Sequence, residues 1–258
     1  MTKATTTKIL PVHLVIPDTQ VRPGVDTQHL LWAGKYVAAI KPDVVVHLGD
    51  HWDMPSLSSY EKAGSKYFEG KRVGQDIAAG NDGLRLLMKG MGRFRPSRMV
   101  MLRGNHEDRI TRALNTDPKL EGLIGFHLFN DVALGWEVHD FLDPVEIDGI
   151  SYAHYWANPL TGRPYAGSID NMLRTIGFSF TQGHRQGKWV GGRELNNGKT
   201  QRGLVVGSFY QHDEDYLGPQ GNRHWRGLVV CREVANGTYD MMEVSLGYLA
   251  RRYGGVDR

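Results

Sequence analysis

Apolar runs of strand length alternate with amphipathic stretches along the first half of the chain. Residues 13–17, 44–48 and 98–103 are the apolar runs, and continuous hydrophobicity over that length is typical of buried strands. Residues 27–40 and 75–94 lie between them and carry apolar side chains at the spacing of an α-helix. The order strand, helix, strand predicts βαβ units.

Two stretches of this half do not follow either period. Residues 55–74 mix aromatic and charged side chains, which indicates a long loop over the end of the second strand, where functional loops collect. Residues 107–130 predict one or two short helices. The second of these is expected to begin near Asp117-Pro118, because proline suits a first helical turn.

The second half of the chain has a β-rich pattern. Residues 136–139, 145–148 and 150–154 predict short strands, and the Asp148-Gly149 dipeptide predicts a hairpin turn. Residues 169–176 predict the last helix. Further strands are expected at residues 204–208, 227–234 and 240–244, with turns at residues 196–198 and 236–237.

Length and composition narrow the class of protein. At 258 residues the chain can form one large core, so we expect a single domain over residues 1–258. A net charge of +3 permits a polyanionic substrate without requiring one. The apolar runs are too short to span a membrane, and residues 1–5 are not followed by the hydrophobic core of a signal peptide. We therefore expect a cytoplasmic protein.

Side chains that can bind metal ions follow the ends of the predicted strands. The single cysteine, Cys231, excludes an intrachain disulfide and a thiolate cluster, so a metal must use histidine, carboxylate or amide groups. The strand that ends at Gly49 carries Asp50 to the edge of the sheet where ligands bind in open α/β folds. The donors at strand ends are Asp18, Gln20, Asp50, Asn105, His106, His154, His184 and Gln186.

The order and context of these donors resemble the calcineurin-like metallophosphoesterase superfamily. That family has the motifs DxH, GDxxD, GNHE or GNHD, a lone histidine and GHxH. This chain has DTQ at residues 18–20, GDHWD at 49–53, GNHE at 104–107, a lone His154 and GHRQ at 183–186. The two middle motifs are intact, and the two outer motifs carry glutamine in place of histidine.

The resemblance implies a fold and a pair of metal sites. The fold would be a four-layer α/β/β/α sandwich of two mixed sheets flanked by helices, with a β-rich C-terminal part. Two divalent metal ions would be bound; we expect Mn²⁺, with Mg²⁺, Fe and Zn²⁺ as alternatives. By similarity the first metal would use Asp18, Gln20, Asp50 and Gln186, and the second would use Asp50, Asn105, His154 and His184.

The resemblance also assigns roles around the metals. His106 would act as a general acid or stabilise charge at the leaving oxygen, and Asp53 or Glu107 would orient the site. Arg185, between two predicted ligands, is expected to reach a substrate oxygen, since a guanidinium group makes strong bidentate contacts with phosphate.

The two glutamines change the expected chemistry of the first metal site. Gln20 and Gln186 give it oxygen donors where the family has imidazoles, so it should favour hard ions such as Mn²⁺ or Mg²⁺ and bind them less tightly. An alternative is that this site stays empty at ordinary metal concentrations.

We expect the chain to be a metal-dependent phosphoester hydrolase that attacks with a hydroxide held between two metals. A phosphodiesterase or nuclease acting on DNA or RNA, resembling the DNA-repair branch of the superfamily or its phage-encoded relatives, is favoured. The phosphatase branch carries an arginine shortly after the second aspartate of GDxxD, whereas Met54-Pro55 follows Asp53 here. The alternatives are a phosphomonoesterase and a nucleic-acid-binding module with weakened catalysis.

Several other polar residues receive a structural or an open interpretation. His51 is interpreted as a ligand, a substrate contact or a loop histidine without a role, and residues 213–215 as a hydrated acidic loop. Aromatic residues beside arginines near the C-terminus suit either single-stranded nucleic acid or an ordinary core with surface charges. These are Trp189, Arg223, Trp225 and Arg226.

Overall fold

A computed structural model of the protein describes residues 9–62, 64–214 and 217–255. The expectation about residues 1–5 falls outside these ranges. Within them, none of the helices is both long enough and apolar enough to pass through a membrane.

A six-stranded mixed sheet forms one half of the molecule. Its strands, numbered in chain order, are β1 (His13–Ile16), β2 (Val44–His47), β3 (Arg98–Leu102), β4 (Glu137–His139), β10 (Gly227–Ala235) and β11 (Thr238–Ser245). They are arranged in the order β11-β10-β1-β2-β3-β4. Because β1 to β4 are parallel, their carboxyl ends lie at one edge of the sheet.

A five-stranded mixed sheet forms the other half. Its strands are β5 (Val145–Ile147), β6 (Ile150–Ala153), β7 (Phe180–Gln182), β8 (Trp189–Glu194) and β9 (Thr200–Val205). They are arranged in the order β5-β6-β7-β9-β8, with β6, β7 and β9 parallel. The loops after β6 and β7 begin with His154 and Gly183-His184, so this sheet also delivers donors from strand ends.

Helices cover the outer faces of the two sheets. They are α1 (Gln28–Ile40), α2 (Val73–Met91), α3 (Arg109–Thr116), α4 (Ile169–Ile176), α5 (Gly218–Gly221) and α6 (Leu246–Tyr253). One apolar cluster joins α1, α2 and α6 to the six-stranded sheet, and includes Leu30 and Leu84. A second, with Val46 and Tyr152, lies between the sheets, and a third joins α4 to the five-stranded sheet. These layers confirm the predicted α/β/β/α sandwich.

Close packing of α1 against α2 explains glycines that weaken the helical pattern. A Cβ on Gly34 would collide with the backbone oxygen of Leu87, and a Cβ on Gly90 would collide with that of Leu31. The helices can approach only because both positions lack a side chain. Gly80, earlier in α2, lies against the ring of Trp52 in the loop after β2, where a Cβ would also collide.

The predicted elements agree with the structure except in a few places. The helix expected near Asp117-Pro118 is a single 3₁₀ turn, Pro118–Leu120, and it is followed by Gly122 with a φ of 81°. The C-terminal part contains a helix, α6, that the β-rich interpretation missed. The three predicted hairpin turns are present, and positive φ at both residues of Asp148-Gly149 fits a type I′ turn.

Candidate metal centre

The loops that follow β1 and β2 run side by side at the carboxyl edge of the six-stranded sheet. The N–H of Gln20 donates to the carbonyl of Asp50 at 2.8 Å, and the N–H of Val21 donates to that of His51 at 2.7 Å. These backbone bonds hold the segment that carries Asp18 beside the segment that carries Asp50.

Glycines allow the strand ends to approach one another. Gly49 has a φ of 97°, and a Cβ there would lie 2.7 Å from the nitrogen of Gly104. A Cβ on Gly104 would collide with the carboxylate of Asp50, and one on Gly183 would collide with that of Asp18. The glycine in each of these three motifs is therefore required by space at the site.

Three site residues adopt left-handed backbone conformations. The φ angles are 40° at Gln20, 49° at Asp50 and 66° at His184. This region is uncommon for residues other than glycine, and each instance costs about 1–3 kcal/mol. Such strain concentrates at functional sites, where it fixes the direction of a side chain.

Four side chains converge at the strand ends; we call them the histidine half of the centre. They are Asp50, Asn105, His154 and His184. The ligand atoms of Asp50, His154 and His184 all lie within 4.8 Å of one another. The amide oxygen of Asn105 lies 2.9 Å from Nε2 of His154 and 2.8 Å from Nδ1 of His184. This buried group of oxygen and nitrogen donors could hold a metal ion.

The two histidines differ in protonation. Nδ1 of His154 donates to the carbonyl of Leu48 at 2.8 Å, which turns Nε2 towards Asp50. Although burial lowers the pKa of His154, the charge of Asp50 raises it to about 9. Burial, assisted by the charge of His154, lowers the pKa of His184 to about 4. At neutral pH, His184 is therefore ready to bind a metal, whereas Nε2 of His154 must first lose a proton.

The remaining predicted ligands form what we call the amide half: Asp18, Gln20 and Gln186. Oδ1 of Asp18 accepts a hydrogen bond from the backbone N–H of His184 at 3.0 Å. Oδ2 of Asp18 and Oε1 of Gln20 are buried and have no hydrogen-bond partner within the described residues. Two buried oxygens without a donor are costly, and a cation is the partner that both would accept.

Gln186 is held differently from Gln20. Its amide oxygen accepts a hydrogen bond from the hydroxyl of Tyr210 at 2.6 Å. This oxygen has a second lone pair, so the bond does not prevent metal binding, but it fixes the amide to Tyr210. The amide half is thus less completely assembled than the histidine half.

The negative charges of the centre repel one another. Burial, followed by the charge of Asp50, raises the pKa of Asp18. Burial alone would also raise the pKa of Asp50, but His106 and His154 beside it hold that pKa well below its usual range. A divalent cation would remove the repulsion between Asp18 and Asp50, so the donor set fits a metal site electrostatically.

Glu107 anchors the loop after β2. Its buried carboxylate accepts backbone N–H groups from Gly104 at 2.7 Å, Asp50 at 3.0 Å and His51 at 2.6 Å. It also accepts from Trp52 at 2.9 Å. These bonds tie the GDHWD loop to the GNHE loop. The role of Glu107 in orienting a metal site stays a prediction.

His106 and Asp53 form a hydrogen-bonded pair beside the histidine half. Nδ1 of His106 lies 2.7 Å from Oδ1 of Asp53, and its Nε2 lies 3.7 Å from Oδ2 of Asp50. Burial opposes protonation of His106, but the nearby aspartates outweigh it and raise its pKa. The hydrogen bond from His106 overcomes the effect of burial and lowers the pKa of Asp53 to about 2. The other ring nitrogen, Nε2, faces Asp50 and lies 3.3 Å from a terminal nitrogen of Arg109, which can only donate.

Arg22 and Arg109 stabilise this pair, and neither was singled out from the sequence. Arg22 donates to Asp53 at 2.8 Å and to Glu214 at 2.7 Å. Arg109 donates to the carbonyl of Asp53 at 2.7 Å. Glu214 is buried, so the prediction of a hydrated acidic loop is wrong for this residue; Asp215 falls outside the described residues. The available signals were the position of Arg22 just after DTQ and of Arg109 just after GNHE.

Arg185 does not contact the histidine half among the described residues. Its guanidinium donates to the carbonyl groups of Tyr165 at 2.7 Å and Gly167 at 3.1 Å. It also lies over the ring of Trp189, 4.6 Å from the centroid. The expected contact between Arg185 and substrate therefore stays a prediction.

His51 is a structural histidine. It is fully buried, its Nδ1 lies 2.7 Å from the hydroxyl of Thr19, and its Nε2 lies 2.9 Å from the carbonyl of Gly80. Both ring nitrogens are therefore used within the core, and the interpretations as ligand or substrate contact are wrong.

The aromatic and cationic residues near the C-terminus have separate partners. Trp189 is 42% exposed, with Arg185 over its ring. Lys188 lies over Trp225, and Arg226 donates to backbone carbonyls and to Asp213. Both interpretations of this group stay predictions.

No protein-family model matches this chain, and a comparison with curated proteins finds no match.

Proposed function

We propose that this protein hydrolyses phosphodiesters with the help of divalent metal ions. The observation that carries the proposal is the convergence of Asp50, Asn105, His154 and His184, with His106 facing the same carboxylate. A metal-binding group and an adjacent proton donor are what metal-assisted hydrolysis requires.

Asp50 is the residue best placed to serve two metal ions. Its carboxylate lies among the histidine half, while its charge also acts on Asp18 in the amide half. Bound divalent cations would neutralise charge on the reacting phosphate and supply a nucleophile from water at neutral pH. We propose that the histidine half holds one ion and that Asp18, Gln20 and Gln186, with Asp50, hold the other.

His106 would supply the proton for the leaving oxygen. Asp53 holds Nδ1 of the ring, so Nε2 is the nitrogen that would serve the leaving oxygen. Nε2 accepts a hydrogen bond from Arg109 at 3.3 Å, so Arg109 must release it before Nε2 can carry a proton. Arg22 and Arg109 hold Asp53 in place, and the charges of Asp50 and Asp53 raise the pKa of His106. The role of Asp53 is therefore to orient a proton donor rather than to bind metal.

The use of the buried arginines favours a diester over a monoester. A phosphomonoester carries nearly two negative charges at neutral pH, so its recognition calls for cations that face the substrate. Arg22 is paired with two carboxylates, and Arg109 is buried and donates to the carbonyl groups of Asp53 and Met54. Neither is free to bind a dianion. Arg112, whose side chain is 42% exposed, leaves one partly free cation beside the centre, which suits a singly charged diester.

Rates on bis-p-nitrophenyl phosphate and p-nitrophenyl phosphate, measured with Mn²⁺, test this proposal. We expect faster hydrolysis of the diester, and its loss in Asp50→Ala and His106→Ala. Hydrolysis of the monoester alone would make the protein a phosphomonoesterase. Activity that survives in Asp50→Ala would contradict the proposed centre.

One further result would favour the third alternative, a binding module without turnover. The proton donor His106 has no use in such a module. Binding of single-stranded DNA that is equal in the native protein and in both variants, without cleavage of either ester, would establish it.

A further inference from the structure

Tyr155 lies beside the histidine half. It follows His154 directly, and its ring centroid lies 4.7 Å from that of His184. The edge of Phe141 packs against it, with centroids 5.4 Å apart and planes at 76°. The ring is half-buried, so two aromatic neighbours fix its orientation while part of it stays open to solvent.

The phenolic group of Tyr155 has no hydrogen-bond partner within the described ranges. Partial burial, followed by the charges of Asp108 and Tyr60, raises its pKa, while Arg112 acts in the opposite direction. Tyr60 follows Ser59 in the loop after β2, and its side chain is 81% exposed. Both rings therefore keep surface that is open to solvent.

Arg112 places a partly used guanidinium beside these rings. One terminal nitrogen donates to the carbonyl of Asn105 at 2.7 Å, and the other donates to the hydroxyl of Ser59 at 3.1 Å. Its side chain is 42% exposed, in contrast to 6% for Arg109. Its Nε lies 3.5 Å from Oδ2 of Asp108. Because a guanidinium has five N–H donors, each terminal nitrogen of Arg112 retains one that can bind an anion next to Asn105.

From this arrangement we infer that Tyr155, with Tyr60 and Arg112, binds a nucleobase and its neighbouring phosphate, so that the substrate is a nucleoside phosphodiester of a single strand. Bases stack on aromatic rings whatever their sequence, and a nearby arginine holds the backbone. A paired duplex would keep its bases away from Tyr155. This inference rests on the proposed phosphodiesterase activity and names its substrate class.

Two esters with the same leaving group test the base site. They are thymidine 5′-(p-nitrophenyl) phosphate and methyl p-nitrophenyl phosphate, and the readout is the ratio of their kcat/KM values with Mn²⁺. We expect native protein to prefer the nucleoside ester, Tyr155→Leu to reduce the ratio about tenfold, and Tyr155→Phe to retain it.

Tyr248→Leu is the matched control, because Tyr248 is 43% exposed on α6 and packs against Tyr36 away from the centre. It should keep the native ratio. General damage to the centre in Tyr155→Leu would slow both esters equally. An unchanged ratio in that variant would therefore overturn the inference.

The phosphate contact is tested by the salt dependence of oligothymidylate and oligouridylate cleavage. Arg112→Gln should lower the slope of log(kcat/KM) against log salt by about 0.7, the value for one contact with a single strand. If the slope is unchanged for both oligonucleotides, Arg112 does not contact the substrate phosphate. Faster cleavage of oligothymidylate would indicate a DNA substrate, and faster cleavage of oligouridylate an RNA substrate.

Binding measurements distinguish failure of the base site from failure of the proposed phosphodiesterase activity. If native protein hydrolyses neither ester, fluorescence anisotropy with labelled oligothymidylate and Mn²⁺ tests the base site alone. A Kd about tenfold weaker in Tyr155→Leu would support the base site, and equal Kd values would overturn it.

Discussion

The two halves of the metal centre differ in how completely the protein assembles them. In the histidine half, the oxygen of Asn105 lies within 2.9 Å of both His154 and His184. In the amide half, Asp18 and Gln20 each keep a buried oxygen that has no partner among the described residues, and Gln186 is bonded to Tyr210. From this difference we propose that one carboxylate, Asp50, joins a preassembled site to one that a metal must complete.

The chemistry of the donors follows the same division. Imidazole binds borderline ions such as Zn²⁺ and Fe²⁺ well, whereas carboxylate and amide oxygens suit Mg²⁺ and Mn²⁺. We therefore propose that the histidine half binds its ion more tightly and that the amide half selects for a hard ion. Replacement of single residues can test this division, and replacement of Asp50 should abolish it.

Replacement of Asp50 should have the largest effect, since it contributes to both halves. We expect Asp50→Ala to bind no metal in either half and to lose at least about 100-fold in kcat on a diester. Metal content by ICP-MS and rates with Mn²⁺ measure this. Asp82→Ala is the control, because Asp82 is 72% exposed on α2. One metal retained at full affinity would contradict a shared role.

Separate replacements should distinguish the two halves. Asn105→Ala is expected to weaken the tighter Mn²⁺ site by about 10- to 100-fold, because it removes a donor from the assembled group. Gln20→Ala should weaken only the second site. Isothermal titration with Mn²⁺ resolves the two events. The division fails if Gln20→Ala weakens both sites to the same extent.

Metal affinity should depend on pH. The pKa of His154 is raised to about 9 and that of Asp18 is also raised, so both groups hold protons that a metal must displace. Affinity for Mn²⁺ should therefore increase as pH rises from about 6 to 9, by up to about tenfold per unit for each proton released. Titrations in buffers with different ionisation enthalpies count these protons. An affinity that does not change over this range would contradict the assignment of His154 as a ligand.

Tyr210→Phe should have the smallest effect. It removes the hydrogen bond to Gln186, so the amide oxygen can turn more freely towards a metal. We expect the second Mn²⁺ site to bind about two- to fivefold more tightly, with the first site unchanged. Isothermal titration measures both. Weaker binding at the second site would mean that Tyr210 orients Gln186 for the metal.

The sequence predicted the strand ends and the donors they carry because both signals are local. An apolar run that stops at Gly49-Asp50 or at Gly104-Asn105 indicates where a strand ends and which side chain follows it. The glycines of these motifs are local signals too, because residues without a side chain are required where the loops approach one another. The layers of the sandwich followed from the family resemblance.

The sequence did not predict the arginines and the aromatic ring that surround the donors. Arg22 meets Glu214, which is 192 residues away, and Tyr155 meets Phe141 beside the histidine half. Such contacts depend on how loops from different strands fold over the site, and no local period encodes them. The same limit made Glu214 look like part of a solvated loop.

Anomalous scattering from crystals loaded with Mn²⁺ tests the central claim most directly. We predict two peaks about 3.5–4 Å apart with Asp50 between them, and a higher occupancy beside Asn105, His154 and His184. The absence of any peak among these four side chains would contradict the account.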